Sequence, residues 1–287
     1  MIEDLAPPLD GVVDSTLMAP RRSPPTSGEP LLHLDGVVKR YGSFTAVKGL
    51  DLAVYPGEIF GFLGPNGAGK TTTIRMVAGI LEPTSGRIRV GPDDLAAEPM
   101  KARARIGYIP DRPFLYEKLS GIEFLRFAAG LWGDEGPEVE ERITRLLALF
   151  SLEEWGDELI GNYSHGMRQK ILISSALVHR PELIVVDEPM VGLDPRSARL
   201  LKDLLRAFVA GGGTVFLSTH TLEVAEALCD RIAILARGEI LALGTMAELR
   251  EQVVVDGGGH LEDIFLKVTG GREVEDLMAS LGNTLDR

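Results

Sequence analysis

One stretch, Gly64-Pro65-Asn66-Gly67-Ala68-Gly69-Lys70-Thr71, limits what this chain can fold into more than any other. It stands between the apolar run Ile59-Phe60-Gly61-Phe62-Leu63 and the helix-like segment Thr72-Thr73-Ile74-Arg75-Met76-Val77-Ala78, so it reads as strand, loop and helix. The spacing G-x-x-x-x-G-K-[ST] lets backbone N–H groups surround a polyphosphate, lets Lys70 reach the terminal phosphates and offers the Thr71 hydroxyl to Mg²⁺. Glycine is needed there because a side chain would block the close approach. A chance match has no reason to fall between a strand and a helix, so a nucleotide-binding α/β fold is the expectation.

The remaining bounds come from composition. With 287 residues, 45% of them hydrophobic, there is material for one large domain or two small ones around a buried core. A formal net charge of −12, from 42 acidic against 30 basic residues, argues against a general nucleic-acid binder, which needs clustered Lys and Arg. No apolar run approaches the roughly 18 residues of a bilayer span, and the first residues lack the basic start and apolar stretch of an export signal. Cys229 stands alone and cannot form an intrachain disulfide, which fits a reducing compartment; a small buried hydrophobe is its plainer reading.

Taken in order, residues 1–30 are rich in Pro, Ser, Gly and charge without helical or strand period, and read as a disordered leader. Arg21-Arg22 invites comparison with a twin-arginine signal, but no apolar segment follows it. Strand-like runs then appear at Leu31–Leu34, Val37–Tyr41 and Leu50–Val54, an antiparallel edge leading into the phosphate loop. Tyr41 is either an ordinary strand residue or a ring on which a flat base stacks. After the strands Arg87–Val90 and Ile106–Ile109, Asp111 falls just beyond a strand end, where polar residues of open α/β sheets face the ligand crevice.

Residues from Ser120 to His179 are almost wholly helical in pattern, with Ile122, Leu125, Phe127 and Leu131 in one segment and Ile143, Leu146, Leu147 and Phe150 in the next. Ser164, before the apolar helix Ile171–Val178, is a helix N-cap or part of an anion site. The uninterrupted apolar run Leu183–Val186 is a central parallel strand ending in Asp187-Glu188. One of these carboxylates can help hold a metal while the other orients and deprotonates a water. The strand Thr214–Leu217 ends in Ser218-Thr219-His220; alone, His220 is an ordinary core or surface histidine as readily as a functional one. Ile232–Leu235 and Glu239–Ala242 form a hairpin through Ala236-Arg237-Gly238. Residues 246–287 read as an accessory segment with helices near Met246–Val253 and Leu261–Val268.

Tyr41, the phosphate loop, Asp111, Tyr163-Ser164-His165-Gly166-Met167, Leu183–Glu188 with Asp194, and His220 stand in one order whose spacing resembles the ATP-binding subunit of an ABC transporter. Leu81–Gly86 and Cys229–Ala233 share the likeness, which covers roughly residues 31–270. The resemblance implies a P-loop NTPase core with a mostly parallel sheet, an antiparallel β edge subdomain and an all-helical signature subdomain at about 112–180, within an ATP-binding domain of residues 31–245. It implies an ATPase using ATP and Mg²⁺, peripheral on the cytoplasmic face of the membrane. Its partners would be a separate transmembrane permease and a second nucleotide-binding subunit, with no nucleic acid expected. Two ATP molecules would be sandwiched, each between one subunit's phosphate loop and the other's signature helix.

Carried over by residue, Tyr41 would stack on adenine and Gly64, Pro65, Asn66, Gly67, Ala68, Gly69, Lys70, Thr71 and Thr72 would bind phosphates. Thr71 and Asp187 would serve the metal, with Asp111 able to ligate it as well, and Glu188 would polarise the attacking water. His220 would hold the γ-phosphate and that water in line. Ser164 and Gly166 would address the partner's ATP, Asp194 the dimer seam, and Asp111 the transmembrane partner. Two departures stand out: Asp111 replaces the family's usual Gln, and His165 the first Gly of Leu-Ser-Gly-Gly-Gln. Signature and accessory segment look more like exporter than importer subunits. The alternative is a soluble ABC-type ATPase acting on a ribosome or DNA, which ribosome co-sedimentation would separate. A small-molecule kinase with the same loop leaves Ser164-His165-Gly166 and His220 without a joint purpose.

Overall fold

The computed structural model describes residues 28–111, 114–188, 190, 195–252 and 261–270; most of the leader, and Asp194, lie outside them. In chain order come strands β1 (Leu32–Tyr41), β2 (Phe44–Val54) and β3 (Ile59–Leu63), then α1 (Lys70–Val77), β4 (Ser85–Val90), β5 (Asp93–Asp94), α2 (Pro99–Ala104) and β6 (Ile106–Ile109). The helical part holds α3 (Gly121–Gly130), α4 (Pro137–Leu149), two short 3-10 turns and α5 (His165–Leu177). The chain then continues through β7 (Leu183–Asp187), α6 (Pro195–Ala210), β8 (Thr214–Thr219), α7 (Leu222–Leu228), β9 (Arg231–Ala236) and β10 (Glu239–Gly244) to α8 (Met246–Gln252) and α9 (Leu261–Thr269). No helix among the described residues is long and apolar enough to cross a membrane.

Two sheets result. The larger runs β10-β9-β3-β8-β7-β6 and is parallel except for the β9–β10 hairpin. The turn of that hairpin holds Arg237 at φ 52° and Gly238 at φ 82°, the two positive values that a tight right-twisted hairpin demands. The antiparallel strands form a sheet of their own, ordered β2-β1-β4-β5, rather than extending the parallel one. Leu31–Leu34 and Val37–Tyr41, which read as two strands, belong to one: Gly36 at φ 57° makes an irregularity in β1, not a break, and its N–H donates to Asp51 Oδ1 at 2.7 Å.

Strand alternation builds an apolar layer on each face of the parallel sheet. Phe60 and Phe62 of β3, Val185 of β7, Phe216 of β8 and Ala233 and Leu235 of β9 pack toward α1 and the antiparallel sheet, where Leu32, Leu34, Leu52, Ile74 and Met76 meet them. Ile59, Leu63, Ile184, Val186, Val215, Leu217, Ile232 and Ile234 face the other way, toward α3–α7 and α9. Each side chain so buried stabilises the fold by about 1.5–3 kcal/mol against exposure. Leu249, Leu261 and Ile264 share the second layer with Leu228 and Ala242, so α8 and α9 are packed onto the same core.

The helical part is three helices with extended and 3-10 stretches between, less continuous than its pattern suggested. α3 begins at a complete capping box, Ser120 with Glu123. Its buried face is Phe124, Leu125 and Ala129, whereas Phe127 and Leu131 point outward, 43% and 59% exposed. In α4 the expected stripe holds in the main: Ile143 and Leu147 are buried, as is Phe150 at the C-cap, whereas Leu146 is half-buried.

Candidate active site

Because β3, β6, β7 and β8 are parallel and in register, their carboxyl ends open on one edge. Leu63 pairs with Thr219, Asp187 with Ser218, and Ile109 with Val186. The phosphate loop, Asp111, Asp187-Glu188 and His220 all follow those ends directly. The loop itself is wedged against the β9–β10 hairpin. A Cβ at Gly64 would meet the Leu235 carbonyl oxygen at 2.3 Å, and one at Gly69, whose φ is +107°, would meet the Ala46 oxygen at 2.7 Å. Gly238 N–H donates to the Ala68 oxygen at 2.9 Å and tightens the seam. Gly69 is also the N-cap of α1 and supplies no capping side chain, which leaves the helix's first amides for an anion.

Lys70 is 6% exposed. Its Nζ donates to the Gly64 and Pro65 oxygens at 2.7 and 3.2 Å and lies 3.6 Å from Glu188 Oε1. Burial pushes this ammonium below its ordinary pKa, while the charges of Glu188 and then Asp187 push it back up. Glu188 Oε2 accepts from His220, 2.8 Å from Nδ1 and 3.3 Å from the backbone N. Its backbone is left-handed, φ 50°, a conformation that costs a non-glycine residue about 1 kcal/mol and that turns the side chain away from the strand direction. The Glu188 N–H is held by the Ser218 carbonyl and hydroxyl oxygens, both at 3.2 Å.

Asp187 is 1% exposed, and its Oδ1 accepts from the Ser218 hydroxyl at 2.6 Å. Its other oxygen, Oδ2, is buried without a hydrogen-bond partner among the described residues. Burial holds this carboxyl above the usual range, Ser218 opposes that, and the charges of Asp111 and Glu188 add to it. The neighbouring Tyr108 hydroxyl is pushed up to about 12, first by burial and then by the charge of Asp187. An unpaired buried carboxylate oxygen amid like charges suits a hard divalent cation. The described residues contain no group of three metal-binding side chains, so such an ion must share phosphate oxygens and water.

Of the residues singled out from the sequence, Tyr41, Pro65, Asn66, Gly67, Gly69, Lys70, Thr71, Thr72, Glu188 and His220 line one cleft of about 370 Å³. Gly64 and Ala68 are buried behind its floor, Asp187 is buried beside it, and Asp111 is exposed at the end of β6. Ser164 and Gly166 do not line the cleft. Ser164 instead caps α5, accepting from Met167 N–H at 3.3 Å, with His165 and Ser164 both exposed. Two residues were missed. Phe44, 63% exposed and cross-strand from Tyr41, lines the cleft as a second aromatic wall, which a Tyr-x-x-Phe hairpin could have signalled. Ser218 holds the Asp187 carboxylate and the Glu188 backbone N–H, signalled only by its place at a strand end beside Asp187.

Set against known proteins, residues 47–191 match the family model described as ABC transporter. The daunorubicin/doxorubicin resistance ATP-binding protein DrrA of Streptomyces peucetius is 40% identical over 258 residues, 89% of this chain and 77% of that protein. The Nod factor export ATP-binding protein I of Cupriavidus metallidurans is 37% identical over 257 residues, 90% and 82% of the two chains. The linearmycin resistance ATP-binding protein LnrL of Bacillus subtilis is 39% identical over 219 residues, 76% and 70%. Among solved structures, an ATP binding subunit of an ABC transporter superposes with a TM-score of 0.78 at 36% identity, covering 83% of this chain and 99% of that one.

Proposed function

Since the chain belongs to the ABC transporter family of ATP-binding proteins, we propose that it hydrolyses ATP as one half of a paired site and drives export through a separate transmembrane permease. The observation that carries this reading is the division of its parts. Ten predicted residues converge on one cleft, while Ser164 and Gly166 stand outside it on the helical part, at about 112–180, free to complete another subunit's cleft. The second nucleotide-binding subunit is in the simplest case a second copy of this chain, with the seam including Asp194.

In the proposed cycle the base lies on Tyr41 and Phe44, and the loop amides with Lys70 take the phosphates. Thr71 and Asp187, with Asp111 beyond the end of β6, would hold Mg²⁺, which when bound would supply charge neutralisation at the phosphates. Glu188 orients a water and accepts its proton as the water oxygen bonds to the γ-phosphorus and the bond to the β,γ-bridging oxygen breaks, yielding ADP and phosphate. His220, joined to Glu188 Oε2, holds the γ-phosphate and that water in line. Positioning and electrostatics supply the catalysis.

Three exposed aromatic residues just beyond Asp111 support the permease. Phe114 is 88% exposed, and Tyr116 packs edge-on to Phe127 at 5.3 Å, both half open to solvent. Exposed aromatic residues grouped in one patch are a common feature of protein contacts. Such a partner places the subunit on the cytoplasmic face of the membrane. The resistance and export in the names of its relatives support the direction. Affinity purification at native expression should recover a polytopic membrane protein in constant ratio with this chain; recovery of ribosomes or DNA in its place would contradict the reading.

A further inference from the structure

Arg168, in the first turn of α5, engages three acceptors at once. Nε donates to the Tyr163 oxygen at 3.1 Å, Nη2 to the Gly161 oxygen at 3.0 Å, and Nη1 to Glu117 Oε1 at 2.7 Å. The two carbonyls belong to the loop that delivers Ser164, and Glu117 belongs to the connection between Asp111 and α3. Backbone bonds join the same segments: Gly161 N–H to the Glu117 oxygen at 3.0 Å and Ile160 N–H to the Leu119 oxygen at 2.9 Å. From behind, the buried Tyr163 hydroxyl donates to the Trp155 oxygen at 2.6 Å, so close to α3 that a Cβ on Gly121 would meet it at 2.3 Å.

We propose that Arg168 is a positioning residue for hydrolysis. By clamping Glu117 to the loop before α5, it makes the segment around Glu117 and the start of α5 move together. A partner docked on Phe114 and Tyr116 then reorients Ser164 and Gly166 toward the second subunit's ATP. The inference rests on the paired-site reading above. Only a planar fork reaches three acceptors spread in this way; a lysine ammonium on its flexible stem satisfies some of them. Glu117 is 59% exposed, and an exposed ion pair adds little to stability, so the clamp's effect lies in geometry.

The test compares full-length Glu188→Gln protein with the same protein carrying Arg168→Ala or Arg168→Lys. ATP affinity of the unpaired subunit is measured by calorimetry at low protein concentration, and ATP-dependent pairing by light scattering. Affinity should stay within about twofold because Arg168 is remote from the cleft, while pairing weakens on the order of tenfold in Ala and is only partly restored by Lys. Unchanged pairing, full restoration by Lys, or affinity falling in parallel with pairing would each overturn the inference. If Glu188→Gln itself never pairs, the paired-site reading falls and takes the clamp with it, a result distinguishable from the others.

Discussion

Glu188 stands between two basic side chains, Oε2 2.8 Å from His220 Nδ1 and Oε1 3.6 Å from Lys70 Nζ, with its backbone bent into the left-handed region. Glu188→Gln keeps that shape and the phosphate site but loses the proton acceptor. It should bind ATP as the parent does and hydrolyse it about 10²-fold more slowly, the cost of removing a positioned base; near-parent turnover would refute the role. Lys70→Ala removes the charge that reaches the phosphates and should lose ATP binding itself, read by calorimetry. Phe44 carries a different prediction. If it is the second wall for the base, Phe44→Ala should weaken ATP binding by roughly 1 kcal/mol, about fivefold, and leave the rate at saturation unchanged. Equal affinities in a titration would return Phe44 to plain surface. Tyr41 was legible because it precedes a phosphate loop, whereas Phe44 becomes part of the cleft only through cross-strand pairing with Tyr41.

The elements that present these residues were legible in unequal measure. Leu183–Val186 announced a central strand because burial on both faces leaves an unbroken apolar run, and the carboxylates after it inherited their place from that strand. The antiparallel subdomain was expected from the family resemblance, but its strand order was not legible, since pairs such as Leu34 with Ile88 join distant segments by backbone bonds that leave no local mark. Gly36 misled for a related reason: a bulge and a turn use the same residue types. The joint between helical part and parallel sheet was also hidden. There His179, just beyond α5, bonds through Nε2 to the Ile106 oxygen at 3.0 Å and stacks on Trp132 at 5.0 Å. Burial holds its pKa below the ordinary 6.5, the Ile106 oxygen and Asp134 oppose this, and Arg142 adds to it. The unfolded chain therefore takes up this proton first as pH falls. The stability His179 contributes is present above about pH 6.5 and is lost as pH drops from there toward the folded-state value. Thermal midpoints measured from pH 7.5 to 5 should fall, and fall less in His179→Gln; parallel curves would exclude this joint as the source.

At the scale of the whole molecule, the described residues hold a cleft lined by the phosphate loop and, apart from it, the residues proposed to complete another subunit's cleft. Sequence order alone displayed both halves, yet only the fold separates them: Ser164 caps α5 and Gly166 lies in its first turn, and neither lines the cleft that the phosphate loop lines. The surface proposed to receive a partner was not legible either: Phe127 read as part of an apolar helix face until its exposure is seen, and Phe114 and Tyr116 carried no mark of theirs. The central claim is that hydrolysis needs a loop from one subunit and a signature from another. It is tested most directly by complementation between Lys70→Ala, which spoils the loop, and Ser164→Arg, which spoils the signature. Each protein alone should be inactive, and an equimolar mixture should recover ATP hydrolysis, since one sound site forms in every mixed pair. A mixture as inactive as its components would show that each chain must carry its whole site, and would contradict the account.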